Sequence, residues 1–311
     1  MKKIIIFFLF ACAVSIFSTE VFAAPTKKDN IQSKRIVVNL AACTLTFYEN
    51  GNELYVFPVA VGAASTPTPI RKFKITEKEE NPIWKEPKTL LKIVSGPMNP
   101  LGYRWIGLAD EYGIHGTNVP SSIGTYASHG CIRMYEEDVE TIYPLCEIGM
   151  PVETQYKRVV IGRNRDGITY FRVYPDEYGI QSLTVADINK ILQKSGLTAC
   201  ISEDEIAEKL EVCDGEPAYF GRTYTIEINN LFISGKMVEK NGKYYLPASQ
   251  LSKVLKQNIC WNVDTGMVAT VRASVPGFIQ NNVLLVEQTD VNRLFNLKGE
   301  VKGYTYFLTS I

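Results

Sequence analysis

From Arg35 the chain alternates. The stretch "RIVVNLAACTLTFYENGNELYVFPVAVG" puts apolar side chains at every second position in short runs, the two-residue period of strands. Asn50-Gly51 separates two such runs and is a hairpin turn signal. Cys43, Leu45 and Phe47 share one face, so Cys43 reads as a small core residue. "STPTPIRKFKI" follows, a proline-rich turn and then Phe73 and Ile75 alternating with lysines. These runs predict a mainly β unit, a sandwich or barrel. Helical spacing begins only at Glu136. Val139, Ile142, Tyr143 and Cys146 recur at i, i+3, i+4 and i+7. Glu136, Glu137 and Asp138 crowd the first turn, where acids suit the positive helix end. Gly149 and Pro151 are the expected stop.

After about residue 157 the pattern becomes short β–α units. "NGKYYLPASQLSKVL" (241–255) returns 40 positions later as "NNVLLVEQTDVNRLF" (281–295). Each copy has an Asn turn, an apolar strand and a helix, with Ser249 or Thr289 as the expected N-cap. Leu251, Val254 and Leu255 correspond to Val291, Leu294 and Phe295, one face of that helix. Two copies predict a small α+β repeat domain.

The first residues do not belong to this folded pattern. Lys2 and Lys3 precede an apolar run that ends in Val21-Phe22-Ala23, the layout of a secretory signal peptide. Leu9-Phe10-Ala11-Cys12 resembles a lipoprotein box, but Phe10 fits it poorly. Export to the periplasm, or to the wall side of the cytoplasmic membrane, is the expectation. The expected organisation is a signal peptide at 1–23, a linker at 24–34, a β unit at 35–156, a connecting β/α segment at 157–215 and an accessory unit at 216–311. The net charge is zero, which gives no electrostatic case for nucleic acid. Seven cysteines are present. Cys12 would leave with the leader. Cys200 and Cys213 flank a short helix and are the favoured pair if a disulfide forms.

The chemistry is concentrated in "GIHGTNVPSSIGTYASHGCIRM", residues 113–134. Both histidines of the chain, His115 and His129, fall there beside Cys131. A thiol attacks a carbonyl as thiolate, so it needs a neighbouring base, and the base needs a third group to fix its tautomer. His129 lies two residues from Cys131 and would share its face on an extended strand. His115 would be brought back by the Pro-, Gly- and Ser-rich loop that follows it. A zinc site of His115, His129, Cys131 and Cys146 is disfavoured, because the spacing matches no common zinc pattern.

"IHGT" followed by "SHGCIRM" resembles the signature of L,D-transpeptidases, the YkuD-type catalytic domain of bacterial cell-wall enzymes. "IVVNL…LTFYENG", "TPTP…FKI" and "NPLGYRWIGL" extend the likeness over residues 34–156. It implies a YkuD-like β-sandwich or barrel with one helix after the nucleophile. Cys131 would be the nucleophile and His115 its base, oriented by the backbone carbonyl of Gly116. Gly130 would help form the oxyanion site, and Ser128, His129 and Arg133 would shape it. The expected partners are peptidoglycan stem peptides as donor and acceptor, with a wall-anchored protein or water as alternative acceptors. Water would make the enzyme an L,D-carboxypeptidase or amidase using the same thiol. No cofactor or metal is implied. Arg71 departs from the glycine usual before the phenylalanine strand. Residues 235–268 resemble the copper amine oxidase N-terminal-like repeat. No histidine follows His129, so copper is not expected there. The rival reading is a non-catalytic wall-binding protein.

Overall fold

A computed structural model describes residues 33–86, 89 and 91–311. The expected leader and its cleavage site lie outside these residues.

The alternating runs form strands where expected. They are β1 (Lys34–Asn39), β2 (Thr44–Glu49), β3 (Asn52–Pro58), β4 (Val61–Gly62), β5 (Lys72–Lys74) and β6 (Glu77–Glu80). After the small hairpin of β7 (Trp84–Lys85) and β8 (Lys92–Ile93) come β9 (Arg104–Gly107), β10 (Gly113–His115), β11 (Tyr126–Ser128) and β12 (Ile132–Arg133). Helix α1 (Glu136–Ile142) and β13 (Pro151–Gln155) complete the unit. Asn50 and Gly51 both take positive φ (52° and 83°), as the β2–β3 hairpin turn requires.

Two open sheets result. One runs β3-β2-β1-β13-β5 and the other β12-β10-β9-β6, while β4 pairs with β11. The described strands therefore make an open layered structure and not a closed barrel. The chain ends of the unit meet, since β1 lies parallel to β13 with Ile36 opposite Val152. The core is one cluster that includes Ile36, Leu45, Phe47, Ile106, Ile114, Ile132 and Val139. Cys43 is buried in it, and burial pushes its thiol up to about 12.

Helix α1 stops earlier than its apolar spacing suggested. It passes into a 3-10 turn at Tyr143–Leu145. Pro144 supplies no N–H and cannot continue an α-helix. Its apolar face is still buried through Cys146, whose thiol burial raises to about 12.

Beyond residue 157 a separate sheet begins at Val159–Arg163 and runs through eleven strands to the C-terminus. It crosses residue 216 without a break, because Ile168–Val173 pairs with Ala218–Ile228. The two repeat copies face each other: Lys243–Pro247 pairs antiparallel with Val283–Glu287. Leu251, Val291, Leu294 and Phe295 are buried, while Val254 is exposed. Neither expected N-cap acts as one. The first helix starts directly after Pro247, and the second is entered through a 3-10 turn at Gln288–Asp290. Cys200 and Cys213 are both free. The ten-residue helix Glu203–Val212 between them spans ~15 Å at 1.5 Å per residue, beyond the reach of a disulfide. Among the described residues no helix is long and apolar enough to cross a membrane.

Candidate active site

Parallel pairing of β10 with β12 builds the site. His115 lies opposite Arg133 and Ile114 opposite Ile132. The isoleucines point into the core. His115 and Arg133 therefore share the other face, and the Cys131 thiol, two residues before Arg133, lies within reach of Arg133 and the Gly113 backbone at the start of β10. The Met134 N–H donates to the His115 carbonyl at 2.8 Å, and Arg133 exchanges two 2.9 Å bonds with Ala60. The register of the strand that follows Cys131 is thus fixed on both sides.

His115 is 4% exposed and its ring stacks on Trp105 at 5.7 Å. Its Nδ1 lies 2.6 Å from the Gly116 carbonyl oxygen. A carbonyl can only accept, so Nδ1 carries the proton and Nε2 keeps its lone pair. The glycines on either side are needed for contact. A Cβ on Gly113 would lie 2.4 Å from the Trp105 ring, and one on Gly116 2.1 Å from a Glu136 carboxylate oxygen.

The turn before Cys131 is tied down atom by atom. Gly130 has φ +114°, and a Cβ there would meet Tyr112 at 2.5 Å. The buried Ser128 hydroxyl accepts from the Gly130 N–H (3.1 Å) and donates to the Cys131 carbonyl (2.5 Å). The Gly130 carbonyl accepts from the Thr68 hydroxyl at 2.9 Å. In a trans peptide the N–H opposes the carbonyl. The Cys131 N–H is therefore turned away from Thr68. Gly130 also breaks the strand geometry that would have put His129 on the Cys131 face. His129 is exposed, and β12 begins only at Ile132.

The electrostatics favour neutral partners at rest. Burial lowers the His115 pKa to about 4, the bond to Gly116 opposes this, and Arg133 adds to it. Burial raises the Cys131 thiol, and the Gly113 N–H and Arg133 only partly offset it. The thiol faces the Glu111 carbonyl at 3.9 Å. Glu111 and Asp110 both have positive φ in the β9–β10 turn. Arg71 is not in the left-handed region. Its guanidinium bonds Asp110 at 2.5 Å and covers the Phe73 ring, which steadies that turn.

Thus Cys131, His115, Gly116, Gly130, Ser128 and Arg133 come together, and His129 stands apart. Trp105, Tyr112, Thr68 and Glu136 were not picked out from the sequence as site residues. A trace of them was present in the glycines flanking a strand histidine, which mark close approach of a neighbour.

Residues 33–154 match the model of the YkuD family, the L,D-transpeptidase catalytic domain. YqjB of Bacillus subtilis, which carries the L,D-transpeptidase name, is 35% identical over 125 residues, covering 38% of this chain and 68% of its own length. The chain belongs to the L,D-transpeptidase family. ErfK/SrfK of Salmonella typhimurium is 33% identical over 153 residues (45% of this chain, 50% of that one). YkuD of Bacillus licheniformis is 41% identical over 106 residues (34% and 55%). The chain spans about half the length of these two curated relatives. The matched L,D-transpeptidase segment contains every residue of the site described above, Trp105 and Thr68 included.

Proposed function

We propose that the chain is an exported peptidoglycan L,D-transpeptidase with Cys131 as nucleophile. The observation that carries this is the His115 ring, with Nδ1 held by the Gly116 carbonyl, Nε2 left bare, and Arg133 acting on both the ring and the Cys131 thiol. Imidazole and thiol both rest neutral, so the proton moves from Sγ to Nε2 as sulfur attacks. The attacked carbon is the L,D amide between the third and fourth residues of a tetrapeptide stem. Its carbonyl oxygen becomes an oxyanion beside the Cys131 N–H. His115 returns the proton to the departing amine, D-Ala leaves, and a thioester remains on Cys131. The amine of a neighbouring stem then attacks the thioester, its proton passes to His115, and sulfur leaves with the new 3-3 cross-link formed. The Arg133 guanidinium stands at the same face, where it suits a stem carboxylate. A wall-anchored protein or water could replace the amine acceptor.

Residues 216–311 we read as a copper amine oxidase N-terminal-like accessory module that places the enzyme and takes no part in chemistry. Incubation of the leaderless chain with purified disaccharide-tetrapeptide tests the whole reading. D-Ala with cross-linked dimers supports transpeptidation. D-Ala with tripeptide alone makes it a carboxypeptidase. Release of no D-Ala leaves a wall-binding role.

A further inference from the structure

We propose that Tyr178, outside the family-matched residues, is a positioning residue for the backbone N–H of Cys131. The inference rests on reading Cys131 as the acylated nucleophile. The Tyr178 hydroxyl donates to the Gly62 carbonyl at 2.8 Å and accepts from the Thr68 N–H at 3.2 Å. It thereby clamps both ends of the loop between Gly62 and Thr68. The same loop grips the nucleophile turn at three points. The Thr68 hydroxyl donates to the Gly130 carbonyl at 2.9 Å, and the Thr66 hydroxyl (3.0 Å) and Ala63 N–H (2.9 Å) donate to the Ser128 carbonyl. The Thr68 hydroxyl also accepts from the Gly62 N–H at 2.9 Å. One tyrosine is therefore two hydrogen bonds from the peptide whose N–H faces the reacting carbonyl.

Tyr178 is itself well held. Its ring stacks on Tyr156 at 5.1 Å and meets Tyr126 edge-on at 5.4 Å. Its N–H donates to the Tyr156 hydroxyl at 3.1 Å. The loop that carries it is fastened by the buried Arg158, which donates to the Tyr174 carbonyl at 2.8 Å and pairs with Asp176. A flexible surface tyrosine would transmit nothing. One locked by packing on two sides can set the orientation of the Gly130–Cys131 peptide.

The network touches the Gly130 carbonyl and not the sulfur. Its loss should weaken oxyanion stabilisation and leave thiolate formation alone. Two probes of the full-length leaderless chain separate these effects, each followed by mass spectrometry of the Cys131 peptide. A carbapenem acylates through a tetrahedral oxyanion; iodoacetamide needs only the thiolate. Tyr178→Phe keeps both ring contacts and deletes the hydroxyl. We expect it to slow carbapenem acylation about tenfold, less than the 10²–10³ for deleting an oxyanion donor outright. Alkylation should stay within about twofold of wild type, since the thiolate fraction is untouched. Thr68→Val breaks the next link and should slow acylation at least as much, which keeps the test open if Tyr178→Phe folds poorly. Wild-type acylation rates in both variants, or an equal slowing of both probes, would overturn the proposal. A wild-type chain that iodoacetamide alkylates but the carbapenem does not acylate would sink the enzyme reading, and this inference with it.

Discussion

At the scale of single residues the site works by burial. An imidazole in water titrates near 6.5, but His115 is enclosed and its pKa falls to about 4. In the proposed mechanism a protonated ring cannot take the Cys131 proton, so activity is expected to fall as pH drops through that value. The acid limb of the acylation rate against pH is therefore expected near 4, far below an ordinary histidine limb. A limb near 6.5 in stopped-flow acylation would show that the ring is hydrated in solution. Cys131→Ala and His115→Ala should each cut D-Ala release by about 10³-fold or more, because nucleophile and base act as a unit. Circular dichroism should show both variants folded. His129→Ala should cost far less, since its ring is exposed and lies off the shared face.

At the scale of elements the turn from Ser128 to Cys131 is the sensitive part. Ser128 satisfies a donor and an acceptor of that turn from a buried position. Ser128→Ala strands both groups and should destabilise the fold by about 1–3 kcal/mol, read as a shift in the urea midpoint. Gly130→Ala faces two obstacles, a left-handed φ and the Tyr112 ring at 2.5 Å. Backbone strain alone should cost on the order of 1–3 kcal/mol. The turn should relieve it by rotating the Gly130–Cys131 peptide, so acylation should fail even where the variant folds. Acylation of Gly130→Ala at the wild-type rate would mean that this turn does not build the oxyanion site. Helix α1 contributes through Glu136. Its carboxylate accepts from the Tyr103 N–H at 3.2 Å and packs against Gly102 and Gly116. Burial raises its pKa.

At the scale of the molecule the connecting segment and the matched unit share a core. Tyr174 and Tyr178 pack on the cluster that holds Phe47 and Ile114. A chain ending at Lys157 loses both and should melt at a lower temperature than one ending at Pro217, with slower carbapenem acylation of Cys131. The longer chain is not free of cost. Phe171 stacks on Phe220 at 5.3 Å, and ending at Pro217 uncovers it. Equal melting temperatures and equal acylation in the two truncations would show that the tyrosine contacts are idle. Export belongs to this scale too. Mass analysis of the secreted chain is expected to find a new N-terminus at Ala24, after cleavage at Ala23.

Local order along the chain was enough to reveal the strands, the hairpin at Asn50-Gly51, the buried face of α1 and a Cys131 with two candidate imidazoles. Each depends on a short period or on residue types that carry one chemistry. Nothing in that order placed Trp105 against His115, Thr68 under Gly130, or Tyr178 under Thr68. Those contacts join positions 10, 62 and 110 residues apart, and no short-range pattern encodes such distances. The same reason separates the two histidines. Spacing put His129 nearest the thiol, yet a positive φ at Gly130 turned it to solvent while parallel pairing of β10 with β12 brought His115 in. The reactive groups could be named from the amino acids alone. Only strand pairing and packing decided which imidazole is buried opposite Arg133 and what holds the peptide before Cys131.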